Sequence, residues 1–180
     1  MKKLLCLFIT AGLLLCTACT RDAQVKPSDE ITNNSASTEI EEPTELTLYF
    51  PDRQGLSLVG EETEVVLGSR TEAEAVVEKL IEGPQSTELL TLIPEGTELL
   101  GVTVDDGLCT VDFSGQFTEN SAGGTSSETL CVYSIVNSLT ELEDIDEVLF
   151  LINGETVEIF GNFIFDEPFE ADGALIKKQR

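Results

Sequence analysis

Apolar residues along this 180-residue chain follow three rhythms: one long run near the N-terminus, several short β-like runs, and two stretches spaced by three and four. Leu46-Thr47-Leu48-Tyr49-Phe50 reads as a strand that Pro51-Asp52 stops, and a second extended stretch follows at Leu56 to Leu67. Thr71 with Glu74 predicts a capping box. Ala73, Val76, Val77, Leu80 and Ile81 then repeat at helical spacing until Gly83-Pro84 ends the run. Leu99 to Val104 and Leu108 to Phe113 flank Asp105-Asp106-Gly107, and an Asp-Gly pair between two such runs signals a hairpin. Ser114 to Gly124 reads as a loop. Thr125 and Glu128 predict a second capping box, and Val132, Ile135, Val136, Leu139 and Leu142 form the stripe of a second helix. Val148 to Ile152 is wholly apolar, as in a strand at a sheet centre, and Asn153-Gly154 predicts that it turns back into Glu155 to Phe160.

The predicted order is β-β-α-β-β-α-β-β. Two helices of one-sided amphipathicity fit one face of a mixed sheet, so the expected class is α+β, a two-layer sandwich. Residues 45–169 form this domain, and 170–180 are expected as a C-terminal tail. Residues 19–44 are rich in Ser, Thr, Asn, Asp and Glu, with Pro27 and Pro43, and read as a flexible acidic linker. About 25 residues of coil would reach about 25 to 30 Å.

Residues 1–18 have the shape of a signal peptide, with Lys2 and Lys3 ahead of an apolar run from Leu4 to Leu15. The run is short for a permanent transmembrane helix, the alternative reading, and Arg21 and Asp22 follow soon after. Leu15-Cys16-Thr17-Ala18-Cys19 resembles a lipobox, with Cys16 where a leucine is usual. That resemblance implies cleavage before Cys19 and a diacylglyceryl group on its thiol, two acyl chains that suffice for stable anchoring on the extracytoplasmic face of the cell membrane.

Charge narrows the partners. The chain carries 34 Asp and Glu against 10 Lys and Arg, a formal charge of −24. Such a surface is repelled by nucleic-acid phosphates, which leaves no nucleic-acid role. Histidine is absent, which removes Ser-His-Asp and Cys-His catalysis and the usual zinc sites, and no nucleotide-binding fingerprint occurs. No cofactor and no metal are expected. Asp105-Asp106-Gly107 and Asn153-Gly154-Glu155 are better explained as turns than as carboxylate or calcium sites, and Gly123-Gly124 as loop rather than phosphate cradle. Cys109 and Cys131 sit in apolar contexts as core thiols, with a disulfide between them left open.

Seven segments carry a family resemblance. In order they are Leu48-Tyr49-Phe50-Pro51-Asp52, Leu80-Ile81-Glu82-Gly83-Pro84, Ile93-Pro94-Glu95-Gly96-Thr97, Thr110-Val111-Asp112-Phe113-Ser114, Ser138-Leu139-Thr140-Glu141, Phe150-Leu151-Ile152-Asn153-Gly154, and Gly161 with Asp166-Glu167-Pro168-Phe169. Over residues 46 to 169 the chain resembles the GerMN domain of sporulation and spore germination proteins. The resemblance implies an extracytoplasmic α/β module borne on lipoproteins of sporulating Firmicutes and some relatives, related in fold to ring-building domains between mother cell and forespore. It carries no catalytic residues over, and this chain has one copy where the name-giving member has two. The expected function is therefore non-catalytic protein interaction in the cell envelope, with envelope or sporulation-complex proteins as partners and Cys19 as the lipidated residue. The alternatives are a carboxylate-dependent peptidoglycan hydrolase and a substrate-binding lipoprotein, the latter opposed by the shortness of the chain. The loop Ser114 to Gly124 is the first candidate recognition face.

Overall fold

The computed structural model describes residues 42–161 and 163–178, so the leader, Cys19 and most of the linker lie outside the described residues. Strand β1 (Thr44–Pro51) runs antiparallel to β2 (Leu58–Val65) in unbroken register from Thr44↔Val65 to Pro51↔Leu58. Helix α1 (Glu72–Glu82) starts as its sequence predicts. The Thr71 hydroxyl accepts from the Glu74 N–H at 3.1 Å, and the Glu74 carboxylate accepts from the Thr71 N–H at 2.8 Å. It ends at Gly83, whose φ of 90° lets its N–H turn back to the Lys79 carbonyl at 3.1 Å. Between these caps Ala73, Val76, Val77 and Leu80 form the buried face.

Strands β3 (Leu99–Asp105) and β4 (Leu108–Phe113) form the second hairpin. Asp106 and Gly107 turn it with φ of 48° and 86°, as an Asp-Gly hairpin requires. Gly107 is constrained twice, because a Cβ there would lie 2.6 Å from an Asp146 carboxylate oxygen. Within the expected loop the chain makes a one-turn helix α2 (Gln116–Glu119), and then helix α3 (Thr125–Leu139) carries it across to β5 (Glu147–Ile152), parallel to β4. The remaining strands are short: β6 (Ile159–Phe160), β7 (Phe163–Ile164) and β8 (Phe169–Glu170). The main sheet has the order β3-β4-β5-β8 and is mixed, with α1 and α3 contributing to the core beside its buried face, so the class is α+β as expected.

Four details differ from the sequence reading. First, β1 and β2 form a sheet of their own. β1 lies so close to α3 that the Tyr49 N–H donates to Ser138 Oγ at 2.8 Å, while Ser138 donates to the Ser134 carbonyl at 2.6 Å. Small side chains on that flank permit the approach. Helix α3 is consequently buried without interruption from Leu130 to Val132 and from Ser134 to Leu139, instead of along one stripe.

Second, Thr125 does not cap α3. Gly124, at φ 104°, occupies the N-cap, and Glu128 is buried against Gly161, where any Cβ would overlap its carboxylate. Third, Asn153-Gly154 does turn the chain, but pairing stops after the single bridge Ile152↔Glu155. A continued hairpin would lay Val157 and Ile159 on the inner face beside Phe150 and Val148 and leave Phe160 outside. The actual path buries Phe160, Phe165 and Phe169, a larger apolar area, and β5 takes β8 as its partner instead. These rings join one stack: Phe113 lies parallel to Phe117 at 4.7 Å, Phe150 parallel to Phe165 at 4.9 Å, and Phe160 sits 5.4 Å from Phe117.

Fourth, the segment expected as a tail is anchored as far as Lys177. Asn137 exchanges hydrogen bonds with the Asp172 backbone at 3.1 and 2.9 Å, and Leu58 bonds through its N–H and carbonyl to Leu175 and Lys177, both at 2.8 Å. Leu175 and Ile176 cover a small apolar cluster of Tyr49, Leu58 and Leu130.

Truncating the ring stack should be severe. In a soluble form of residues 39–180, Phe150→Ala is expected to lower unfolding stability by about 3 to 5 kcal/mol, and Ile164→Ala, 62% exposed, by no more than about 0.5 kcal/mol. Urea titrations of the two variants check this; equal losses would contradict the assigned core.

Candidate functional site

Besides a small pocket lined by Thr71, Glu72 and Asp144, two places on the described structure gather polar groups into a concave or convergent arrangement. One is the edge where the parallel strands β4 and β5 end, the usual ligand-binding end of an open α/β sheet. Ser114, Gly115, Glu119 and Asn153 meet there. Three bonds brace the scaffold there: Ser114 Oγ accepts from the Glu98 N–H at 2.9 Å, Asn153 N–H donates to the Phe113 carbonyl at 2.8 Å, and the Asp112 carboxylate accepts from the Gly154 N–H at 2.9 Å. Asn153 at φ 53° and Gly154 at φ 79° are thereby stapled as a turn. The candidate recognition loop starts from this edge. Its first half is interior, with Ser114, Gly115 and Phe117 buried, and Asn120 ties it to the Glu95 carbonyl at 2.8 Å. Its exposed residues are Gln116, Glu119, Asn120 and 122–124.

The other place is a trough of about 1150 Å³ beside the β1–β2 hairpin, floored by Tyr49 and Gly60 and walled by Arg53, Leu89 and Ile176 to Lys178. The described residues hold five cations, Arg53, Arg70, Lys79, Lys177 and Lys178, and three of these line the trough. Nearby acids balance them: Arg53 lies 3.6 Å from Glu88, and Lys177 3.6 Å from Asp52. The sequence reading missed this trough because its walls come from segments more than 100 positions apart. The apolar pair Leu175-Ile176, placed just before Lys177-Lys178, was the available signal that the tail docks.

Asp52 organises the β1–β2 connection. Its carboxylate accepts from the Leu56 N–H at 3.0 Å and from the Ser57 hydroxyl at 2.9 Å. The hydrogen bond from Leu56 is the main cause that holds the Asp52 pKa below its ordinary value of 3.8. Burial works against it, and Ser57 and Lys177 add to it. An acid held in its ionised form suits turn-making, not proton donation. The Tyr49 hydroxyl donates to Glu141 at 2.6 Å, and burial with that neighbour pushes its pKa up to about 12.

Cys109 and Cys131 are buried free thiols. Burial pushes each up to about 12, so neither is the thiolate a nucleophile needs. Among the described residues no group of three or more His, Cys, Asp and Glu could hold a metal ion, and no helix is long and apolar enough to cross a membrane.

The polar groups of this small α+β domain brace turns and strand ends, and an open trough lies at one hairpin. The family model Germane, described as sporulation and spore germination, matches residues 47–158, more than half of the chain, and the chain belongs to that family. Its fold is similar to the tandem GerMN domains of the sporulation protein GerM from Bacillus subtilis, with a TM-score of 0.63 at 21% identity over 81% of this chain and 51% of that one. The first GerMN domain of that protein matches at a TM-score of 0.57 and 22% identity, over 73% of this chain and 98% of that one. A candidate lipoprotein from Clostridium perfringens matches at 0.50 and 23%, over 73% and 89%. The chain thus spans about half the length of the tandem protein. At these identities the likeness is one of fold. The comparison with curated proteins finds no match.

The lowered Asp52 pKa fixes the sign of a pH effect. A carboxylate with a depressed folded pKa contributes stability that is present above its unfolded value, near 3.8, and lost as pH falls through the folded value. Wild-type protein should therefore lose more stability than Asp52→Asn on going from pH 5 into the range below 3.8. Parallel urea midpoints across that range check it, and parallel curves for the two proteins would contradict the assigned bonds.

Proposed function

We propose that the protein is a lipoprotein held on the extracytoplasmic face of the cell membrane through Cys19, and that its Germane domain is a non-catalytic protein-interaction module serving sporulation or spore germination. The observation that carries this reading is the family match across residues 47–158. The leader supports the anchoring half, since Lys2-Lys3, the apolar run and Leu15-Cys16-Thr17-Ala18-Cys19 stand in the order that lipoprotein processing reads. A protein of the same fold described as a candidate lipoprotein is consistent with it. The roles of the polar groups support the other half. Asp52, Asp112 and Ser114 are each bonded to backbone that they brace, and both core thiols are held protonated by burial.

In the native host, wild-type protein should incorporate labelled fatty acid and sediment with membranes, and Cys19→Ala should do neither. Labelling that persists in the variant would move the anchor elsewhere. Purified domain incubated with peptidoglycan should release no soluble fragments; release abolished by one Asp→Asn or Glu→Gln change would replace the interaction reading with the hydrolase.

A further inference from the structure

The charges of the domain are segregated along the chain. Between Lys79 and Lys177 there is no Lys or Arg at all, while Asp and Glu recur throughout. The four-stranded sheet, α3 and the β6–β7 hairpin all come from that stretch, so this half of the molecule carries one sign of charge. On it the β6–β7 hairpin presents two large aliphatic side chains to solvent. Ile159 is 66% exposed and Ile164 62%, and the two are direct cross-strand partners, so they form one patch. The adjacent pair, Phe160↔Phe163, faces the protein. Phe160 packs on Phe117 and Phe165, and Phe163 on Tyr133 and Phe169. The hairpin is thus anchored by its aromatic face while its aliphatic face is left open. The Phe165 N–H bonds to the Glu158 carbonyl at 3.0 Å, which brings the exposed Glu158 and Asp166 to the same end of the patch.

We propose that the Ile159–Ile164 patch is the docking surface for a protein partner that offers an apolar socket rimmed by Lys and Arg; this rests on the reading of the domain as an interaction module. Charge decides among the occupants. A second copy docking through the same face would set Glu158 and Asp166 against their own counterparts, and an anionic bilayer would repel them. A basic rim is attracted to both acids and encloses the isoleucines, the arrangement of a dry apolar centre with a polar surround in which interface energy concentrates. The fold itself gains nothing from the patch, since neither isoleucine belongs to the core.

The test places a photo-crosslinking amino acid at position 164 of the full-length protein in its native host under sporulation conditions. The same group at position 56, where Leu56 is 77% exposed beside Arg53, serves as reference. The expected result at 164 is an adduct with one other protein, its crosslinked peptide containing Lys or Arg, and about a tenfold loss of yield with either Ile159→Ser or the pair Glu158→Lys and Asp166→Lys. Circular dichroism and an unchanged urea midpoint show that each variant is folded, and the Ile159→Ser arm stands alone if the charge reversal is not. An adduct only with a second copy or with lipid, or a yield indifferent to the folded variants, overturns the proposal. Capture of a protein from position 56 but not 164 overturns the surface and leaves the interaction reading standing. Capture from neither overturns both.

Discussion

The structure depends on the double burial of α3. Its flank toward β1 carries Ser134 and Ser138, small enough for the Tyr49 N–H to reach a hydroxyl, and its other residues close the core with β4 and β5. Buried serines are tolerable only because each is bonded: Ser134 donates to the Cys131 carbonyl at 3.0 Å, and Ser138 donates to Ser134 and accepts from Tyr49. With both flanks covered, the β1–β2 hairpin needs no place in the main sheet. That separation leaves an open side against which the segment 172–178 is laid through Asn137 and Leu58.

The same packing places the exposed surface features. At the ends of β4 and β5, where α/β sheets often bind ligands, Ser114 and Asp112 brace neighbouring backbone. What stays available is surface: the trough with its balanced charges, and the anionic half with its two exposed isoleucines. The core thiols are buried, which pushes both up to about 12, and the chain has no histidine.

Charge segregation gives the surfaces different characters. Cations are confined to segments before Leu80 and after Ile176. In the described residues these segments supply β1, β2, α1 and the tail, so the trough is mixed in sign while the sheet, α3 and the β6–β7 hairpin are anionic. Unlike charges thus give the two sides of one small domain different electrostatic characters.

Local pattern sufficed where a short segment contains its own reason. The α1 capping box, the Asp106-Gly107 and Asn153-Gly154 turns, and the strands β1, β4 and β5 were all legible because caps, left-handed turns and strand alternation are written in neighbouring residues. The resemblance to GerMN domains was legible for the same reason, being carried by seven short segments in order. Long-range competition decided the rest. Whether Glu155 to Phe160 extends a hairpin depends on which rings find Phe117 and Phe150. Whether α3 is half or wholly covered depends on a strand some 90 positions earlier, and whether residues 170–178 hang free depends on a cluster built from β1, β2 and α3. The sequence alone therefore determined most of the elements and the family, and the tertiary structure decided strand partners, the docked tail and the exposed faces, because burial free energy is summed over contacts between segments that no local window contains.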